Sequence, residues 1–133
     1  MKSITTLLIL ALFIACNPQS NDLQSEIQTM DMKRVAFACD CADWVQLNDF
    51  SKPNYEDSAI FIEPADSTLS LVDTLGYNMD IIRFTGQFYT HKGFPKGYHS
   101  IENPDKARVF RYIKFKVIKS NYRECRQLNE KND

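Results

Sequence analysis

Cys39 and Cys41 stand two residues apart, and Cys125 lies more than 80 residues further on. Cysteines with this spacing have two uses: thiolates that hold a soft metal or run redox chemistry, or partners in a disulfide. The run Val35-Ala36-Phe37-Ala38-Cys39-Asp40-Cys41 alternates with period two, so a strand would point both sulfurs the same way with their Cα atoms about 6.6 Å apart. That is near the upper limit for a bridge, and Cys39 and Cys41 are expected not to join each other. Cys41 is expected to bond Cys125, because Cys39 sits deeper in the apolar stripe with Val35 and Phe37. Closing so long a loop stabilises a domain by roughly 2–4 kcal/mol. The rival use is Cu(I) or Zn(II) binding, or redox chemistry, at Cys39 and Cys41, with Asp40, Asp43 and either His91 or His99 nearby. No second closely spaced Cys or His pair completes that set, so no metal or other cofactor is expected.

A second group lies in residues 90–104, where His91, Lys92, Phe94, Lys96, Tyr98 and His99 are interleaved with Gly93, Pro95 and Gly97. Loops of this length in small domains are often functional. Phe94 and Tyr98 could stack on a sugar while Lys92 and Lys96 hold an anionic group; equally, the two aromatics could fold back onto the domain. Catalytic patterns are missing: there is no nucleophile elbow, no His-Glu-x-x-His and no phosphate-binding glycine loop. Glu63 and Asp66 flank a turn, where carboxylates usually cap or face water. The expectation is a binding or scaffold module, not an enzyme.

The N-terminus gives an address. Met1-Lys2-Ser3 is a short basic start, residues 7–14 carry no polar side chain, and Ala15 precedes Cys16. The apolar run is too short to span a bilayer, which takes about 20 residues, and its order is that of a cleaved export signal. Phe13-Ile14-Ala15-Cys16 resembles the lipobox of bacterial lipoprotein precursors, with Phe13 where the family usually has Leu, and the chain is similar to small envelope lipoproteins of the Bacteroidota type. The resemblance covers the first sixteen residues and implies removal of residues 1–15, acylation of Cys16 and a lipid anchor in the cell envelope. Asn17, where an Asp would favour inner-membrane retention, implies the outer membrane.

These groups need elements to position them. Residues 16–32 are rich in Asn, Gln, Ser and Asp and suit a tether reaching roughly 50 Å, within which Leu23, Ile27 and Met30 fall at helical spacing. From residue 33 the pattern is β: runs at 35–41, 44–47, 59–63, 68–72, 81–90 and 108–119 are separated by turn residues. Ile82, Phe84, Gly86 and Phe88 share one strand face, and Val109, Ile113, Phe115 and Val117 share another. Gly86 inside a strand predicts a bulge or bend. The expected fold is mainly β, a single domain over residues 33–126 forming a small curled barrel or sandwich of five to six strands, followed by a polar tail at 127–133. Residues 82–88 are similar to the bent strand of OB-fold barrels. The alternative is an α+β domain with a helix at 43–49 or 67–75.

Composition bounds the partners. With 44% hydrophobic and 25% charged residues the chain is globular in type, and loss of Lys2 leaves 15 bases against 17 acids. The charge is unevenly placed: residues 35–80 hold nine acids and one base, residues 81–126 eleven bases and three acids. Acidic and basic strands lying side by side would pair across the sheet. Otherwise Lys114, Lys116, Lys119, Arg123 and Arg126 form a basic face for anionic lipid, sugar or a protein. Nucleic acid is not expected for an exported chain without net positive charge.

Overall fold

The computed structural model describes residues 22–72, 75–77 and 80–119. Five strands form it: β1 (Gln28–Arg34), β2 (Trp44–Gln46), β3 (Phe61–Pro64), β4 (Ile81–Phe88) and β5 (Val109–Lys119). They make one mixed sheet of order β2-β1-β4-β5-β3, antiparallel throughout except where β3 runs parallel to β5. The sheet curls into a half-barrel, and two backbone bonds between Trp44 and Ile60, 2.8 and 3.2 Å, draw its outer strands together. A partly open barrel of five strands is the OB-like architecture expected. No α-helix occurs among the described residues; in the segments of the α+β alternative the described residues form single 3-10 turns at Leu47–Asp49 and Ser67–Leu69. Asp66 caps the second, accepting from the Thr68 amide at 2.8 Å.

The strand faces follow the pattern in β4, where Ile82, Phe84 and Phe88 are fully buried. With Met30, Met32, Trp44, Ile60, Phe110 and Tyr112 they fill the barrel. Phe84 sits at the centre, 5.2 Å from Trp44 edge-on and 5.0 Å from Tyr112. Gly86 marks the expected bulge: the register with β5 shifts between Thr85 and Gly86. A Cβ at Gly86 would lie 2.1 Å from the Arg111 carbonyl oxygen, so only glycine permits this approach. The bulge also corrects the reading of β5. Ile113 is skipped in the pairing and turns outward, so the inward set changes parity from Phe110 and Tyr112 before the bulge to Phe115 after it.

Three segments differ from expectation. Gln28–Arg34, whose residues 28–32 fall in the expected tether and include Met30 of its helical spacing, is a strand at the heart of the sheet, paired on one side with β2 and on the other with β4. Its Met30 and Met32 point inward while Thr29 and Asp31 point out, so tertiary pairing overrides the sparse helical spacing. The run 35–41 is a loop instead of a strand. After Arg34 pairs with Trp44 the ladder ends, the Phe37 amide turns back to the Val35 carbonyl at 3.1 Å, and residues 39–41 bend. Likewise 68–72 forms no strand.

Candidate functional site

The outer face of β3 and β5 builds the site. Because side chains alternate along a strand, Phe61 points away from the barrel interior and, with Val109 and Ala42, forms a second small core. The β4–β5 loop, residues 89–108, covers it. Phe94 and Tyr98 stack on each other with centroids 4.9 Å apart and planes 4° from parallel, and both lie against Phe61 at 5.8 and 5.3 Å. Thus the loop aromatics fold back onto the domain. Glu63, two residues after Phe61 and on the same face, is buried beneath the loop. Its carboxylate accepts the Tyr89 hydroxyl and, at 2.8 Å, the Lys96 amide. Burial first, then the neighbouring Glu63 carboxylate, pushes the Tyr89 phenol up to about 12. Glu63 therefore anchors the loop, a role that neither its placement beside a turn nor the continuous apolar run at 59–62 before it suggests.

The β1–β2 loop, residues 35–43, meets this covering loop through Asp40. The Asp40 amide donates to Glu102 Oε2 at 3.0 Å, its carbonyl accepts the Tyr98 hydroxyl, and its carboxylate accepts Ser100 Oγ at 2.9 Å. Flanking it, Cys39 and Cys41 are joined as a disulfide with Cα atoms 5.3 Å apart. This overturns the expectation that they stay unbridged: without a strand to hold them in extended spacing, the bend brings the Cα atoms well inside disulfide range. Bonded sulfurs offer no thiolates to a metal. Cys125, the expected partner of Cys41, lies outside the described residues, as does Cys16, the expected site of lipidation.

Beside the joined loops opens a cleft of about 470 Å³. Its lining includes Cys39, Asp40 and Cys41 of the β1–β2 loop, Tyr98 and His99 of the covering loop, and Arg34, Asp43, Trp44 and Tyr77. Arg34 bonds the Asp43 carboxylate at 2.6 Å and lies 4.1 Å from the Tyr77 ring centre and 5.8 Å from that of Trp44. Burial raises the Asp43 carboxyl above its ordinary range despite the guanidinium beside it. Gly76, at φ 97°, brings the β3–β4 connection against the Trp44 ring, where a Cβ would come within 2.9 Å.

Of the six loop residues singled out, Phe94 and Tyr98 are structural aromatics, Tyr98 and His99 reach the cleft, and His91, Lys92 and Lys96 stand exposed elsewhere on the loop. The ion pairs of Asp43 and Asp49, in the acidic stretch, do not reach the basic half: Asp43 bonds Arg34 and Asp49 bonds Lys52. Arg83 pairs across the sheet with Asp31, which precedes the acidic stretch 35–80, in a two-pronged bond of 2.7 and 2.8 Å that holds the Asp31 carboxyl below its usual range. Lys114 and Lys116 lie exposed beside it on β5, and Lys119 at the strand end; Arg123 and Arg126 fall outside the described residues. No group of three or more His, Cys, Asp or Glu side chains that could hold a metal occurs among the described residues. Neither a family model, nor a curated protein, nor a solved structure matches the chain.

Proposed function

We propose that the chain is a lipid-anchored envelope protein whose OB-like half-barrel acts as a non-enzymatic binding module, with the cleft beside the two joined loops as its site. The observation that supports this reading is the convergence of the β1–β2 and β4–β5 loops at Asp40, beside a cleft lined by aromatic rings and a guanidinium. Equivalent loops flank the ligand face in OB-like barrels generally, although fold alone does not assign a ligand. Tyr77, Tyr98 and Trp44 offer ring faces and edges, while Arg34 and His99 offer donors. Such a lining fits a sugar carrying an anionic group, as found in envelope polysaccharide. Lipid on Cys16 would hold the module at a membrane, because two or three acyl chains at about 0.8 kcal/mol per buried methylene make attachment effectively permanent.

Trp44 is the only tryptophan in the chain and lines the cleft, so its emission reports occupancy directly. Titration of the full chain with acidic oligosaccharides from cell wall is expected to change that emission saturably, with His99→Ala weakening the response at least threefold. A flat titration, or a response that His99→Ala leaves unchanged, contradicts the reading.

A further inference from the structure

Cys39 and Cys41 form a small ring that encloses one residue, Asp40, and that residue holds the second loop. We propose that this disulfide is a thiol-exchange site for a dithiol, and that its opening releases the β1–β2 loop from the β4–β5 loop. The inference deepens the binding-module reading and rests on it for the oxidising compartment that forms the bond.

Three observations carry it. The constraint a disulfide places on the unfolded chain grows with loop length, and a bond between residues two apart lies at the bottom of that scale. The bond therefore does little to hold the barrel, which already has its ladders and aromatic core. Access is open, since Cys39 is exposed and Cys41 half-exposed at the cleft rim, so a thiolate can approach the Cys39 sulfur. Finally, the ring fixes the backbone at Asp40, whose amide, carbonyl and carboxylate each contact a different residue of the covering loop: Glu102, Tyr98 and Ser100. Opening the ring frees the dihedrals that aim those three groups.

The exchange balances without another reactant. A thiolate of the dithiol attacks Cys39 Sγ, the S–S bond breaks, and its electron pair leaves on Cys41 Sγ, which takes a proton. The dithiol's second thiolate attacks its own sulfur in the mixed disulfide, expelling the Cys39 thiolate, which is protonated in turn. The chain gains two electrons and two protons, and the dithiol departs as a disulfide.

The test uses the full chain with Cys125→Ser, purified in detergent and treated with dithiothreitol at neutral pH. Alkylation followed by peptide mass mapping counts the sulfurs opened, and amide hydrogen exchange reads the loop and the barrel together. The expected result is two additional alkylated sulfurs at Cys39 and Cys41, at least tenfold faster exchange at the Asp40 amide, and unchanged protection in β4 and β5. The Cys39→Ser/Cys41→Ser double variant should show the same fast Asp40 exchange without reductant. Alkylation of the pair before reductant is added, resistance of the bond until β4 and β5 lose protection, or reduction with Asp40 exchange unchanged would each overturn the proposal. An unlipidated Cys16 adds one alkylated sulfur with and without dithiothreitol, so failure of the envelope reading is seen separately from failure of the exchange site.

Discussion

At the residue scale, Glu63 decides how the covering loop sits. A buried carboxylate accepting a phenol and an amide holds two distant points of the chain together, and its loss leaves both donors without their partner. Glu63→Ala is expected to cost roughly 2–3 kcal/mol and to make residues 90–104 the first site of limited proteolysis, while Asp66→Ala, at an exposed cap of a single turn, should cost clearly less. Equal thermal shifts for the two variants would contradict this ranking. The same site predicts an alkaline response. Burial pushes both Tyr89 and Tyr112 up to about 12, above the value near 10 of an unfolded tyrosine. Their neutral forms therefore contribute stability that is whole below about pH 10 and is lost as pH rises towards 12. Denaturant midpoints should fall across that window, and Tyr89→Phe should flatten the fall; an identical slope in the variant would remove Tyr89 from the account. Glu63 was invisible in sequence because its importance comes from the loop above it, not from its neighbours in the chain. Asp40 was legible only as a residue near two cysteines.

At the element scale, β4 could be read from its own alternation because its inward face packs against an aromatic core along its whole length. The β5 strand could not, since the bulge opposite Gly86 changes which residues face inward midway. The β1 strand was hidden by composition: two methionines among polar residues give a weak period, and its pairing with both β2 and β4 supplies what local preference lacks. Residues 35–41 show the converse, a clean alternation with no neighbouring strand to pair with beyond Arg34. The bulge gives a direct check. Because a Cβ at Gly86 meets backbone and not a movable side chain, Gly86→Ala must displace β5, and overpacking of this kind costs about 1–3 kcal/mol. Gly97→Ala, where no atom lies within 4 Å of the added carbon but φ is 76°, should cost about 1 kcal/mol from backbone conformation alone. If thermal melts rank Gly97→Ala as the more damaging, the tight β4–β5 approach is wrong.

At the scale of the whole molecule, the structure shortens the distance between the expected lipid site and the domain. The Thr90 amide bonds the Asp22 carbonyl at 2.9 Å, the Gln24 amide bonds the Phe88 carbonyl at 2.8 Å, and Leu23 bridges Tyr89. The chain is thus tied to the barrel from Asp22 onward, and six Cα–Cα steps separate that point from Cys16. Fully extended, they reach about 20 Å, where the sequence alone allowed roughly 50 Å of tether. With Cys16 acylated, the barrel would work close against the membrane, with the base of the β4–β5 loop beside the root of the tether. That geometry depends on the anchor, and metabolic labelling with a fatty acid tests the anchor most directly. The account predicts that the wild-type chain carries the label and that Cys16→Ala abolishes it while the folded domain persists; a Cys16→Ala chain that still takes up the label, or a wild-type chain that never does, would contradict it.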